Sequence, residues 1–296
     1  MTTNTPDVPR RRGLAALGLL PLLQACTPLG LINALVPNGT HRFTADQAYG
    51  PEARQRLDVY QPDPPVAGAP IVVFFYGGSW SSGRRQDYRF VGEALASRGI
   101  VTLVADYRLS PQVRYPVFVQ DSALALRWAS DQAASLGASP QRLFVVGHSA
   151  GAYNAAMLAL DPRWLGAVSM APGRLAGWVG LAGPYDFLPI GVPEAQVAFE
   201  WPQTPADSQP LLHARRTGPG LSPRALLLAA RDDTLVDPVR NTQALARTLG
   251  QQGVAVELEL LDRVSHTTLI GAMAAPLRGL APVLDRVSGF IHRPVG

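Results

Sequence analysis

Gly147-His148-Ser149-Ala150-Gly151 is entered from the apolar run Leu143-Phe144-Val145-Val146 and left through residues 152–160, and its reading decides the fold of this chain. A buried-strand pattern feeds a tight turn, and a helical pattern with Met157, Leu158 and Leu160 to bury follows it. Gly-x-Ser-x-Gly at such a junction sets a serine at the apex of a strand-to-helix turn. The turn imposes unusual dihedrals on the serine, and a side chain at Gly147 or Gly151 would strike the neighbouring strand or helix. Ser149 is therefore a candidate nucleophile. The plain alternative is an ordinary crossover with a buried serine.

Working outward, strand-like and helix-like segments alternate from about residue 55. Strands are expected at 57–60, 71–76, 100–105, 143–146, 178–182, 225–230 and 254–261. Helices are expected at 90–98, 118–135, 150–160 and 238–249, the last opened by Asp237 as N-cap, with a final helix ending near 292. Repeated β-α alternation implies an α/β protein whose mostly parallel sheet is covered on both faces. Ligands of such sheets gather at the carboxyl ends of the strands, which is where Ser149 falls. The proline-rich stretch 184–220 breaks the rhythm and carries Tyr185, Phe187, Phe199 and Trp201. It reads either as a small lid or pocket wall, or as a surface loop with aromatics tucked into the core.

Composition narrows the chemistry. The chain has 296 residues, 47% of them hydrophobic and 16% charged, enough for a sizeable core. All 26 basic residues are arginine. The absence of lysine excludes a phosphate-loop lysine, a Schiff base and a Ser-Lys dyad. The net charge of +4 falls to +2 when residues 1–25 leave with three arginines and one aspartate, and no basic stripe with interleaved aromatics suggests nucleic acid. The one cysteine, Cys26, precludes an intrachain disulfide, and His/Cys metal spacing is absent, so no metal or organic cofactor is expected.

A serine hydroxyl needs a base. His41 lies in the stretch read as a tether and His292 four residues from the carboxyl end, His213 sits in the irregular stretch, and the His148 side chain should point away from Ser149. His266, in Val264-Ser265-His266-Thr267 after the last strand, is placed on a loop facing the serine. An acid should fix its tautomer, and Asp232, Asp233, Asp237 and Asp262 are all available.

Here the chain resembles a known family. Asp233-Thr234-Leu235-Val236 is similar to the Asp-x-x-Val of α/β-hydrolases, in which the aspartate is the acid, although Ala230 stands where a glycine is usual. The order Ser149, Asp233, His266 is also theirs. Tyr76-Gly77-Gly78-Ser79-Trp80 resembles the His-Gly-Gly-Gly and His-Gly-Gly-x-Trp loops of the hormone-sensitive-lipase and kynurenine-formamidase-like branches, with Tyr76 in place of histidine. The resemblance implies that the N–H groups of Gly78, Ser79 and Ala150 receive an oxyanion. Asp106-Tyr107-Arg108-Leu109-Ser110-Pro111, Tyr115-Pro116 and Asp121 match a further stretch of these enzymes and read as scaffold. The family implies a serine esterase acting on a small ester through an acyl-enzyme, with Trp80, Tyr153 and Tyr185 as candidates for the pocket wall. Formamide cleavage, peptide cleavage and a non-catalytic binding module remain as alternatives.

At the amino terminus, Arg10-Arg11-Arg12 precedes the apolar run 14–23, which is too short to span a bilayer and reads as a secretory signal. Leu23-Gln24-Ala25-Cys26 resembles a bacterial lipobox. That resemblance implies a signal over 1–25, lipidation at Cys26, a membrane tether over 26–45, a catalytic domain over 46–296, and location in the bacterial cell envelope.

Overall fold

The computed structural model describes residues 1–2 and 28–294. The chain opens with helix α1 (Pro28–Ala34), then strands β1 (His41–Ala48), β2 (Arg56–Pro62) and β3 (Ala69–Phe75), α2 (Arg89–Ala96), β4 (Val101–Ala105) and α3 (Val117–Gln132). β5 (Ala138–His148), α4 (Ala150–Leu160), α5 (Pro162–Gly166) and β6 (Gly177–Leu181) form its middle. The short α6 (Pro193–Ala198) and α7 (Pro210–Ala214) precede β7 (Ala225–Ala230), α8 (Ala244–Gln251), β8 (Val256–Leu261), α9 (His266–Gly271) and α10 (Val283–His292). The strands make one sheet in the order β1-β2-β4-β3-β5-β6-β7-β8. β3 to β8 run parallel, and β1 and β2 are antiparallel to their neighbours at one edge.

The strand sequences explain the layering. β3 reads Ala-Pro-Ile-Val-Val-Phe-Phe and is buried at every position, as a strand must be when helices cover both faces. β4, β6 and β7 are likewise buried throughout. β1 is different: His-Arg-Phe-Thr-Ala-Asp-Gln-Ala leaves most positions exposed at the sheet edge, so no apolar run announced it.

Residues 28–45, expected as a tether, carry ordered structure. Leu29, Ile32 and Val36 pack against the core. Asn33 Nδ2 donates to the carbonyls of Gln86 (3.1 Å) and Asp87 (2.8 Å), and its Oδ1 accepts from the Phe90 N–H (3.3 Å). Three apolar side chains at helical spacing supply the reason this stretch folds onto the body. Cys26 and the expected signal lie outside the described residues. Among the described residues, no helix is long and apolar enough to cross a membrane, and no group of three or more His, Cys, Asp or Glu side chains is arranged to hold a metal.

Candidate active site

β5 ends at His148 and α4 begins at Ala150, leaving Ser149 alone in the turn at φ 54°, ψ −122°. This is a costly conformation for a residue with a side chain, of order 1–3 kcal/mol, and it holds because the surroundings are closed around it. A Cβ on Gly147 would lie 2.1 Å from the Gly151 carbonyl oxygen, and one on Gly151 would lie 2.0 Å from that of Phe75. The two glycines let α4 sit directly on β3 and β5. The Ser149 N–H is held by the Leu181 carbonyl of β6 (2.8 Å).

His266 is the first residue of α9, whose start is fixed by a capping box: Ser265 Oγ accepts from the Thr268 N–H and Thr268 Oγ1 from the Ser265 N–H. Its Nε2 lies 2.9 Å from Ser149 Oγ, and its Nδ1 lies 2.7 Å from Asp233 Oδ2. An ionised carboxylate can only accept, so Nδ1 carries the proton and Nε2 is free to accept from the serine. The other Asp233 oxygen accepts from the N–H groups of Leu235 (2.9 Å) and Val236 (3.0 Å). Burial alone would raise the Asp233 carboxyl. The bond from His266 and the two N–H groups outweigh it and hold Asp233 below the ordinary carboxylate value.

The other candidates lie elsewhere. Asp262 pairs with Arg231 at the surface, and the Asp237 carboxylate caps the turn by accepting from the N–H groups of Val239 and Arg240. Asp232 is exposed. His213 Nε2 donates to the Asp207 carbonyl, and His292 Nε2 to that of Arg98. His148 does turn from the serine, but toward His266. Its Nε2–H donates to the His266 carbonyl (3.0 Å), while its Nδ1 is buried without a partner. Burial, then the neighbouring His266, pushes the His148 pKa down to about 3, so the ring stays neutral.

The loop after β3 carries the donors. Gly78, Ser79 and Trp80 all have positive φ (125°, 50° and 56°). The N–H groups of Gly78, Ser79 and Ala150 donate to no acceptor among the described residues, and all three residues line the same cleft as Ser149. Tyr76, standing where the resembled family has histidine, braces this loop. Its hydroxyl donates to Asp106 Oδ1 (2.6 Å) and accepts from Arg54 Nη2 (2.7 Å), and Arg54 also holds the Gly83 carbonyl at the far end of the loop. Burial and then Asp106 push the phenol well above its ordinary pKa, so it remains a donor. Behind it, Arg85 bridges Asp106, Asp58 and Asp46 at 2.6 to 2.8 Å. Arg108 grips Asp121 through two nitrogens. Arg54 and Arg85 sit in stretches without a motif, and no sequence signal marked them.

Ser149 opens into a cleft of about 580 Å³. Trp80 and the insertion residues Phe187, Ile190 and Val192 give it an apolar wall, so the stretch 184–220 both lines the cleft and buries aromatics. Tyr153 and Tyr185, expected in the wall, are instead fully buried behind it. Tyr153 donates to the Ser208 carbonyl (2.8 Å) and supports Trp80 edge-on, and Tyr185 packs against Trp178. The insertion is tied down by Asn241 Oδ1, which accepts from the Tyr185 and Asp186 N–H groups, and by Arg240, which reaches Asp186 and the Leu188 carbonyl.

Comparison with known proteins agrees with this architecture. The BD-FAE family model matches residues 57–196. A probable isoprenylcysteine alpha-carbonyl methylesterase of Oryza sativa subsp. japonica is 30% identical over 263 residues, covering 82% of this chain and 61% of that protein. Carboxylesterase NlhH of Mycobacterium tuberculosis is 42% identical over 107 residues, 35% of this chain and 33% of its own. The chain thus spans about three fifths of the length of the first of these relatives. Among solved structures, esterase B from Lactobacillus rhamnosis superposes with a TM-score of 0.69 at 19% identity, covering 91% of this chain and 93% of that one. An esterase from Thermogutta terrifontis gives 0.67 at 25% identity, covering 83% and 90%. In fold the chain is an α/β-hydrolase, and the relatives and solved structures named above are esterases.

Proposed function

We propose that the protein hydrolyses carboxylic esters through Ser149, His266 and Asp233. The observation that carries this is the unbroken relay from Asp233 Oδ2 through His266 to Ser149 Oγ, ending in a cleft lined by three N–H groups without acceptors. His266 Nε2 takes the serine proton as Oγ attacks the ester carbonyl, and Asp233 stabilises the imidazolium. The Gly78, Ser79 and Ala150 N–H groups receive the developing oxyanion. The intermediate collapses, His266 returns the proton to the leaving alkoxide, and an acyl-Ser149 remains. Water then attacks the acyl group with His266 again as base, releasing the acid and restoring Ser149. The named relatives, esterases all, support an ester over an amide.

The protein should hydrolyse p-nitrophenyl acetate, and Ser149→Ala should abolish it; equal turnover in the variant contradicts the reading. In a panel of acyl esters, aryl esters and N-formyl compounds, esters should be preferred. A preference for N-formyl compounds would favour the formamidase alternative suggested by the Gly-Gly-x-Trp loop.

We further propose that residues 1–25 direct export and that Cys26 is lipidated at the bacterial cell envelope, on the strength of Leu23-Gln24-Ala25-Cys26. Radiolabelled palmitate should enter the protein in bacterial cells and be lost in Cys26→Ser. Unchanged labelling contradicts it.

A further inference from the structure

His148 takes no part in the relay, yet it is tied to both Ser149 and His266. Its backbone pairs with Leu181 of β6, and the next residue along the chain is Ser149. Its ring lies against the loop after β3, since a Cβ on Gly77 would fall 3.2 Å from His148 Nδ1. The other side of the ring ends at α9, where Nε2 meets the His266 carbonyl at 3.0 Å. The two imidazoles stand 5.0 Å apart between centroids, tilted by 47°. A carbonyl only accepts, so Nε2 carries the proton and Nδ1 is bare. Nδ1 is buried with no partner, and neither ring nitrogen bonds to Ser149. The ring is therefore no second base. Nor is it mere filler: an apolar side chain of similar size would occupy the space without burying a bare nitrogen, which costs free energy. What histidine adds at this position is one N–H aimed at the main chain of the base.

We propose that His148 is a positioning residue, a strut that fixes the main chain of His266 relative to Ser149. The base needs one. β5 and β8 are separated by β6 and β7, about 14 Å at ordinary strand spacing, so the chain after β8 has to reach back over two strand ends to bring His266 to the serine. α9 has only six residues, and its capping box fixes its own first turn without tying it to β5. The bonds to Asp233 and Ser149 hold the imidazole, the outer end of the side chain, whereas the bond from His148 holds the carbonyl at its root. His148 is itself rigid, because its backbone lies in the sheet and its ring is closed in by Gly77. With His266 fixed at both ends, Nε2 stays in line with Oγ, and a misplacement of about 1 Å costs on the order of 10²-fold in rate. The inference rests on Ser149 and His266 acting as nucleophile and base.

Two amides of different length separate the strut from polarity alone. Glutamine carries its N–H at the reach of the imidazole Nε2 and still donates to the His266 carbonyl; asparagine ends at the level of Nδ1 and falls short. His148→Asn should lower kcat for p-nitrophenyl acetate on the order of 10²-fold with KM within about twofold, and His148→Gln should recover most of the loss. The rate at which a fluorophosphonate probe labels Ser149 should fall and recover in the same order, since it needs the activated serine and no ester. Wild-type kcat in His148→Asn, equal losses in both variants, or a rise in KM with kcat intact overturns the proposal. Circular dichroism checks the fold. Should His148→Asn fail to fold, His148→Leu fills the apolar space without an N–H and carries the same expectation against His148→Gln. If the wild-type protein labels rapidly but leaves p-nitrophenyl acetate intact, the ester reading fails, while the labelling rates still decide the strut.

Discussion

The two halves of the cleft are built on different principles. The half that holds Ser149, His266 and Asp233 stands on the ends of β5, β7 and β8, where glycines allow backbone to approach backbone and caps fix each turn. The facing half comes from the insertion 184–220 and α1, short irregular pieces tied down by single side chains such as Asn241, Gln209 and Arg240. The reacting groups need geometry held within a fraction of an ångström, which strand ends supply. The wall needs only to be apolar and to leave space, so it tolerates loops.

The largest effects should come from breaking the rigid half. Asp233→Asn should lower kcat by about 10⁴-fold, because the amide no longer holds the imidazole tautomer that leaves Nε2 bare. Steady-state kinetics at constant protein fold, checked by circular dichroism, would measure it. A loss below tenfold would assign the acid role elsewhere.

Arg85→Met tests the buttress behind the oxyanion loop. It leaves Asp58 buried without its cation and Asp106 with only Arg54, at 3.6 Å, and removing one member of such a network costs about 3–5 kcal/mol. A urea titration should show the unfolding free energy falling by that amount; an unchanged midpoint would mean the network is dispensable. Tyr76→Phe is gentler. It removes the hydroxyl between Asp106 and Arg54, at about 1–3 kcal/mol, and should lower kcat more than it raises KM because the loop donors act on the transition state.

On the facing half, Arg240→Ala should change KM by only a few-fold and leave kcat nearly intact, since the residue holds the wall and not the relay. A large kcat loss would show that wall and relay are coupled.

A separate prediction concerns acid stability. His148 is neutral in the fold with a pKa near 3, against 6.5 for the free side chain. Between those values the unfolded chain binds a proton that the folded chain does not, so stability falls as pH drops from about 6.5 toward 3. His148→Asn should flatten that part of the stability–pH curve. An identical slope would mean His148 titrates normally.

The same contrast explains what the sequence could reveal. β3, β4, β6 and β7 were legible because burial on both faces writes an unbroken apolar run, whereas β1 was hidden by its exposed, mixed residues at the sheet edge. Ser149 and Asp233 sit in local motifs whose meaning survives without the fold, and His266 was picked out by its place after the last strand and by elimination among five histidines. The cleft wall carries no such mark. Tyr153 and Tyr185 looked like wall residues by proximity to motifs, and only long-range contacts to Ser208 and Trp178 send them into the core. His148 was expected to turn from the serine. Its bond to the His266 carbonyl, 118 residues away, has no signature in the chain.

The central claim, that the relay activates Ser149 to carry the acyl group, is tested most directly by trapping that acyl group. Protein mixed with excess p-nitrophenyl ester, acid-quenched within milliseconds and digested, should give one peptide heavier by the acyl mass, with the adduct on Ser149 and a stoichiometric burst of p-nitrophenol. Turnover with no burst and no adduct, or with the adduct on another residue, would contradict the account.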